Sequence, residues 1–409
     1  MTTPPAPPAR PAEPPAGASA QSRDTTQLEI AMLGALPPWR GVAPYTRDLV
    51  TALEEVEGLG VEFFDFAALY PARLYPGGAP VDPDGTPPRF ARTQVRRYLT
   101  WYNPTSWGRA GLAMRGRVVH GQCWSYVLSP IYAAALSLAR ARGSRIILTL
   151  HNVRPHERSA WKRRLYQSVF RLADHFIVHS HRNAQELIEA HPRALGRLTV
   201  IPLGLHSVPR TRGLSQEEAR RELGLPLDRP VVLAFGNIRP YKGLDVLLPA
   251  FRRALDAGTE ATLVIAGQPW CDFEPYRRLI EELGLSSHVR AWLEFVPEQR
   301  MEAFFAAADL AVYPYTSFDA QSAAATLALS SGLPIVVSDI GGLPELVDDS
   351  RAVVPPDDPE ALAGALRAVL SDAGLRAELA GASRRRAAEL DWRSVAQHTA
   401  EVYRELASP

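Results

Sequence analysis

Two cations stand close together in a loop in the second half of this chain, which is otherwise nearly neutral. Arg239 and Lys242 follow an apolar run that ends in Gly236, and a segment with helical spacing begins directly after them. The planar fork of a guanidinium and the compact charge of an ammonium together suit a diphosphate. They would also offset the negative charge that grows on a phosphate as it leaves a sugar. A solvated turn is the alternative, and the position between a strand, a glycine and a helix favours binding.

A second candidate anion site opens a predicted helix after the apolar run that ends at Tyr315. Asp319, Gln321 and Ser322 lie at this opening, and Ala323 follows them. The first N–H groups of a helix have no partner within the helix, and the helix dipole favours an anion there. Asp319 or Ser322 can alternatively serve as a plain N-cap, which is compatible with a ligand at the same helix end.

Two residues of the first half follow predicted strands. His151 could hydrogen-bond a sugar or a phosphate, or be a satisfied core histidine. Gly41 lies between the first strand and the first helix, where it could let the backbone approach a ligand or serve as a turn glycine. Asp82 and Asp84 have a spacing that can hold a divalent metal, but prolines and glycines surround them. A hydrophilic turn is favoured there, and we predict no metal site.

The elements that must position these residues alternate between strands and helices. The predicted strands are continuously apolar, which is typical of parallel sheets covered on both faces. Two such series predict two doubly wound α/β domains, at 28–208 and 209–389, after a Pro/Ala-rich disordered tail at 1–27. The last segment, 390–409, is predicted to be a helix that returns to the first domain. Ligands bind at the carboxyl ends of strands in such sheets, so both sets of candidates are expected on one cleft.

The composition excludes several classes of protein. With 45 basic and 44 acidic residues among 409, no global charge selects nucleic acid or an anionic membrane. The two cysteines cannot form a disulfide framework, and P-loop, GxGxxG, HExxH and GxSxG motifs are absent. The tail lacks a signal-peptide pattern, and no apolar run is long enough to span a bilayer. We therefore expect a cytoplasmic protein with no role in binding nucleic acid.

One basic segment is compatible with contact between this protein and a membrane surface. The segment 158–171 combines Arg158, Lys162, Arg163 and Arg164 with aromatic residues at helical spacing. Such a helix could lie on an anionic membrane surface on the cytoplasmic face. An exposed helix with a basic outer face is the favoured alternative.

Taken together, the motifs resemble those of the retaining GT-B nucleotide-sugar glycosyltransferases, called group 1 or glycosyltransferase family 4. The resemblance runs from about residue 28 to residue 405. It depends on the order and spacing of "PPWRGVAPYTRDLVTAL", "LTLHNVRPHE", "ADHFIVHS", "VIPLG", "FGNIRPYKGLDVLL", "ADLAVYPY" and "QSAAATLALSSGLPIVVSDIGGLPELV".

The resemblance implies the GT-B fold, in which two Rossmann-like domains hold a nucleotide diphosphate sugar, such as a UDP-sugar, between them. It implies that Arg239 and Lys242 form the diphosphate clamp and that Ser322 and its neighbours offer N–H groups to the phosphates. It further implies that Gly41 is the loop glycine of the first domain and that His151 contacts the transferred sugar. Members of this family move a sugar, often a hexose, to a hydroxyl with retention of configuration, and they work without a bound metal or other cofactor.

Three positions depart from the common pattern of this family. Asp319 and Leu327 stand where much of the family has two glutamates separated by seven residues. Asp319 keeps a carboxylate for the sugar hydroxyls, whereas Leu327 cannot accept hydrogen bonds from a ribose. Gly236-Asn237 replaces the commoner Gly-Arg, and Arg239 takes the basic role.

The leading function is sugar transfer from a nucleotide diphosphate sugar to a saccharide, a lipid-linked acceptor or another glycoconjugate, as in polysaccharide biosynthesis. A sugar-nucleotide epimerase, a phosphorylase or a non-catalytic nucleotide-sugar-binding subunit on the same scaffold stays open. The insert at 71–117 is unassigned, and its aromatic residues could line an acceptor groove or pack the insert down.

Overall fold

A computed structural model describes residues 27–70, 81–82, 85–114, 118–153, 159–205, 208, 212–317 and 322–408. Within these residues, two parallel sheets of seven and six strands form two α/β units. Successive residues of β1 (Leu28–Leu33) belong to different core clusters, Ile30 and Met32 to one and Ala31 and Leu33 to another. This sheet is therefore buried on both faces, which explains why its strands are continuously apolar. The predicted pair of doubly wound domains is confirmed.

The first sheet has the order β3-β2-β1-β4-β5-β6-β7. Its other strands are β2 (Leu59–Ala68), β3 (Gln94–Thr100), β4 (Val118–Cys123), β5 (Arg145–Leu150), β6 (His175–Val178) and β7 (Leu198–Val200). Its helices are α1 (Ala43–Leu53), α2 (Pro104–Ala113), α3 (Ser129–Ala141), α4 (Ala160–Ser168) and α5 (His181–Ala190).

The second sheet has the order β10-β9-β8-β11-β12-β13. Its strands are β8 (Val231–Phe235), β9 (Thr262–Ala266), β10 (Val289–Trp292), β11 (Leu310–Tyr313), β12 (Ile335–Ser338) and β13 (Val353–Val354). The helices of this half are α6 (Gln216–Glu222), α7 (Leu244–Asp256), α8 (Glu274–Glu282), α9 (Glu298–Ala307), α10 (Ala323–Ser330), α11 (Pro359–Ser371) and α12 (Ala373–Glu389).

The last helix, α13 (Trp392–Ala407), lies against the first sheet although its sequence follows the second. Its buried residues pack with β1 and α1 in one core cluster. Tyr403 on α13 reaches the middle of this sheet, where its hydroxyl lies 2.6 Å from Nδ1 of His120. The chain crosses back beside Leu205, whose carbonyl accepts a 3.0 Å hydrogen bond from the Trp392 indole.

The described part of the 71–117 insert contains regular structure. β3 adds an edge strand to the first sheet beside β2, and α2 packs against α3. Trp107 donates its indole N–H to the carbonyl of Thr100, so this ring holds the insert in place. Trp101 and Tyr102 are exposed.

Among the described helices, none has both the length and the hydropathy that crossing a bilayer would require.

Candidate active site

The loop after β8 turns on a glycine whose backbone other residues rarely adopt. Gly236 has φ +113°, and its N–H donates to the carbonyl of Ala266 at the end of β9. A Cβ on Gly236 would lie 2.8 Å from Nζ of Lys242. Glycine is therefore required here by the backbone conformation, and it also leaves room for the ammonium group.

Aromatic rings hold the two cations of this loop. The guanidinium carbon of Arg239 lies 4.0 Å from the ring centroid of Trp270, and Nζ of Lys242 lies 5.2 Å from that of Tyr315. The negative face of an aromatic ring attracts a cation at these distances. Within the described residues neither cation has a carboxylate partner, so both charges remain available to an anion.

Burial lowers the pKa of Lys242, and the neighbouring Arg239 lowers it further, whereas Tyr241 acts in the opposite direction. The ammonium form is therefore less stable at this site than in water. An anion that binds beside Lys242 stabilises the charged form, so the site gains from a ligand of high negative charge.

The N-terminus of α10 lies beside these cations. The Ser322 hydroxyl accepts a 3.3 Å hydrogen bond from the Ala325 N–H and lies 3.1 Å from the Tyr315 hydroxyl, so this side chain caps the helix. The first N–H groups of α10 have no acceptor within the helix. Asp319 and Gln321 lie outside the described residues, and their roles stay predictions.

One cavity of about 1090 Å³ between the two units brings most of the predicted residues together. Gly41, at the start of the first unit, contributes a backbone with φ +83°. The predicted residues that line this cavity are Gly41, Gly236, Asn237, Arg239, Lys242, Ser322 and Ala323.

His151 lies at the carboxyl end of β5, and it is not among the described residues that line the cavity. Its Nε2 lies 2.9 Å from Oε1 of Gln122, and its Nδ1 lies 3.3 Å from Nε2 of His179. The Tyr45 ring packs edge-on against it, with the centroids 4.8 Å apart. Burial lowers the pKa of His151 well below its usual range, and the charges of His179 and His120 add to this effect. The ring is therefore neutral at pH 7.

Other polar residues of the first sheet also have structural partners, both His120 within β4 and residues that follow strands. Burial lowers the pKa of His120 to about 3, and its Nε2 lies 2.7 Å from Oγ1 of Thr149. The Asn152 side-chain oxygen accepts a hydrogen bond from the Tyr166 hydroxyl. The Ser180 hydroxyl caps α5 by accepting a hydrogen bond from the Asn183 N–H.

Several aromatic residues of the cavity were not predicted from the sequence. Trp270 follows β9 by four residues, so its position after a strand was the available clue. Phe295 lines the cavity from the second unit, and the guanidinium carbon of Arg40 in the first unit lies 5.1 Å from its ring centroid. Trp392, also in the lining, comes from α13. These contacts depend on tertiary packing, which spacing along the chain does not show.

No group of three His, Cys, Asp or Glu side chains that could hold a metal ion occurs in the part of the chain that the structure describes. Asp82 is described, and its N–H donates to the carbonyl of Pro38. Its predicted turn partner, Asp84, lies outside the described residues.

Comparison with known proteins assigns both halves of the chain. The family model for "Glycosyl transferases group 1" matches residues 215–386, and the model for "Glycosyltransferase Family 4" matches residues 39–207. The chain belongs to the group 1 / family 4 glycosyltransferases. Both matched regions of this glycosyltransferase line the cavity. Residues 39–207 contribute Gly41, and residues 215–386 contribute Arg239 and Lys242.

Curated relatives of this glycosyltransferase include two D-inositol 3-phosphate glycosyltransferases. The one from Corynebacterium jeikeium is 30% identical over 250 residues, which is 59% of this chain and 59% of the relative. The one from Acidothermus cellulolyticus is 31% identical over 243 residues, which is 57% of this chain and 53% of the relative. The match thus spans less than two thirds of the length of these relatives.

Solved structures share the GT-B fold with this glycosyltransferase. Sucrose-phosphate synthase from Thermosynechococcus elongatus has a TM-score of 0.68 at 20% identity, covering 92% of this chain and 98% of that one. Anabaena HepE in complex with UDP has a TM-score of 0.68 at 18% identity, covering 92% and 100%.

Proposed function

We propose that this glycosyltransferase moves a hexose from a nucleoside diphosphate sugar to an acceptor hydroxyl, with retention of configuration and without a bound metal. One observation carries the proposal. Arg239, Lys242 and the N-terminus of α10 meet at one cavity, and all three favour the same ligand, a multiply charged anion.

In this proposal the second unit stabilises the leaving group. As the bond between sugar and phosphate breaks, negative charge grows on the diphosphate, and the two cations and the N–H groups of α10 are already in place to meet it. Trp270 and Tyr315 keep the cations beside the cavity, so little reorganisation is needed during the reaction. The positive charges do the work that a divalent cation does in other transferases.

His151 enters the proposal as a neutral hydrogen-bonding group. Both of its ring nitrogens have protein partners, so contact with the sugar requires exchange of the Gln122 bond for a sugar hydroxyl. Asp319 is proposed as the carboxylate for the hydroxyls of the transferred sugar. The acceptor hydroxyl is proposed to attack from the same face and to give its proton to the departing phosphate.

Uridine is the first nucleoside to test, because the Anabaena relative is described in complex with UDP and with UDP-glucose. Leu327 lines the cavity at the position where the resemblance places a ribose-binding glutamate, and it cannot accept a hydrogen bond. We therefore propose that the ribose is held by other groups or through water.

Donor hydrolysis tests the proposal without knowledge of the acceptor. The purified chain is incubated with UDP-, GDP- and ADP-sugars, and release of the nucleoside diphosphate is measured, with the anomer of the released sugar read by NMR. We expect slow release from one donor class with the anomer retained. Arg239→Ala and Lys242→Ala should each lower the rate by about 10²–10³, as loss of a group that stabilises transition-state charge does.

Arg253→Ala is the matched control, because Arg253 is a half-exposed arginine on α7 whose ion-pair partner is Glu360, away from the cavity. Its rate should equal that of the unaltered chain. Release that persists unchanged in both Arg239→Ala and Lys242→Ala would contradict the proposed clamp, and no release from any donor would contradict the activity.

A further inference from the structure

The charge of this nearly neutral chain is distributed very unevenly. Residues 85–173 contain sixteen Lys and Arg but a single acidic residue, Glu157. The rest of the chain is left with 29 basic and 43 acidic residues. Such a separation creates a local positive field that the net charge of +1 conceals.

The fold places much of this stretch on one side of the first sheet. Helices α2, α3 and α4 cover the same face, with α3 in contact with both of the others. No Asp or Glu occurs in any of the three helices. We call the outer surface of α2, α3 and α4, with the loop 101–103, the basic face.

Part of the positive charge is neutralised within the protein and part is not. Arg140 and Arg145 both lie within ion-pair distance of the Asp174 carboxylate, so their charges are partly neutralised. By contrast, no carboxylate of the described residues lies within ion-pair distance of the exposed Arg109, Arg142, Arg163 and Arg164 or of the partly buried Lys162. These charges stay available to an external anion.

Large apolar side chains stand among these cations. Trp161 is 60% exposed at the start of α4, and Tyr102 is 64% exposed in the loop after β3. On α2, Leu112 is 53% exposed and lies three residues from Arg109, on the same side of the helix. Lys162 holds its ammonium 4.8 Å from the centroid of the Tyr126 ring, next to Trp161.

We propose that the basic face docks on the surface of an anionic lipid bilayer. Clustered Lys and Arg bind the negative surface, and Trp, Tyr and Leu side chains gain by entering the boundary between headgroups and acyl chains. A nucleic acid would satisfy the same cations. Bases of a nucleic acid could stack on the exposed part of the Trp161 ring. The exposed aliphatic side chain of Leu112, however, gains from hydrocarbon, and a nucleic acid offers it nothing comparable.

Docking by this face determines how far the opening of the cavity lies from the membrane surface. Trp161 and Tyr102 follow the carboxyl ends of β5 and β3, and Gly41 of the cavity follows the carboxyl end of β1 in the same parallel sheet. Tyr102 and Trp161 therefore lie towards the sheet edge on which the cavity opens, whereas Leu112, near the end of α2, lies farther from this edge. A bilayer-bound molecule can reach this edge without leaving the membrane surface. The docking itself does not depend on the proposed reaction.

Vesicle flotation of the full chain tests the docking. Vesicles of phosphatidylcholine alone are compared with vesicles that also contain phosphatidylserine, at low and at high salt. We expect binding to the anionic vesicles only, weakened by salt. The triple variant Lys162→Gln, Arg163→Gln, Arg164→Gln should bind about a hundredfold more weakly, since each basic residue near such a surface contributes about fivefold. Trp161→Ser should lower binding without changing the salt dependence.

The matched control is Arg253→Gln, Arg277→Gln, Arg278→Gln, which removes the same charge from helices α7 and α8 of the second unit. It should float like the unaltered chain, and all variants should keep the melting temperature. Equal loss of binding in both triple variants would show a general charge effect and overturn the proposal. So would absence of flotation, or tight binding of a single-stranded oligonucleotide by a chain that ignores anionic vesicles.

Discussion

At the scale of single residues, the candidate site depends on a glycine that makes room for a cation. Gly236→Ala must place a Cβ near Nζ of Lys242 in a backbone with φ +113°. We expect a loss of roughly 1–3 kcal/mol in the free energy of unfolding from the backbone strain. Because the ammonium is displaced, affinity for a nucleoside diphosphate should also fall at least about tenfold, measured by titration calorimetry.

Gly258→Ala provides the comparison. Gly258 has φ +87° with nothing within 4 Å of an added Cβ, so it carries a backbone penalty but lies outside the cavity lining. It should lower stability and keep the affinity. Equal affinity in the two variants would show that Gly236 serves the fold alone.

Trp270 gives a second prediction at this scale, because its ring carries the Arg239 guanidinium. Trp270→Leu should weaken binding of a nucleoside diphosphate about 5–30-fold, the range of a partly desolvated cation–π contact. Binding of the nucleoside without phosphates should change little. In an Arg239→Ala background the same substitution should have no further effect on the diphosphate, whereas additive losses would show that Trp270 acts independently of Arg239.

The sequence predicted the positions of the cations but not their partners. Arg239 and Lys242 could be found because they follow an apolar strand that ends in glycine, which places them at the binding edge of a parallel sheet. Trp270 and Tyr315 reach them from the ends of two other strands, and such contacts depend on the strand order. The position of His151 after a strand was predicted in the same way. Its hydrogen bonds to Gln122 and His179 were not predictable, because they join residues of different strands.

At the scale of elements, α13 joins the end of the chain to the first sheet. Tyr403 is fully buried and its hydroxyl bonds His120 across the sheet. Tyr403→Phe leaves a buried ring nitrogen without its partner, so we expect a loss of about 1–3 kcal/mol in the free energy of unfolding, measured by chemical denaturation. Arg393 on the same helix is exposed and lies 3.9 Å from the Glu55 carboxylate, so this ion pair is weak. The free energy of unfolding of Arg393→Gln should therefore stay within about 0.5 kcal/mol of that of the unaltered chain. A Tyr403→Phe chain as stable as this control would show that the bond contributes nothing.

Buried strands were predictable from sequence, and the edge strand β3 was not. A parallel strand covered on both faces is continuously apolar, as in β8 and β9. β3 pairs with β2 alone and carries Arg96 and Arg97, which form ion pairs with Glu62 and Asp65 of β2. Its polar sequence follows from its place at the edge, which only the assembled sheet reveals.

At the scale of the whole molecule, three histidines of the first unit, His120, His151 and His179, predict the response to acid. Burial lowers the pKa of His120 to about 3 and of His179 to about 4, and it lowers that of His151 well below the usual range. The unfolded chain titrates these groups near 6.5, so it binds more protons than the folded chain between about pH 4 and 6.5. Stability is therefore lost as the pH falls through this window.

Asp65 acts in the opposite direction, because burial raises its pKa to about 6 despite the nearby Arg97. For these four side chains alone, the unfolded chain binds about two more protons than the folded chain near pH 5, which corresponds to about 2–3 kcal/mol per pH unit. Urea denaturation at several values between pH 7.5 and 5 measures this slope. His120→Gln should reduce the slope by about one proton, and an unchanged slope would show that His120 does not contribute.

The central claim is that the cavity recognises a diphosphate through Arg239 and Lys242. The most direct test is calorimetric titration with the nucleoside diphosphate that raises the melting temperature most, and with its monophosphate. We predict that the unaltered chain binds the diphosphate at least about thirtyfold more tightly, and that Arg239→Ala, Lys242→Ala binds both ligands equally. Equal affinities in the unaltered chain, or a preference that survives the double substitution, would contradict the account.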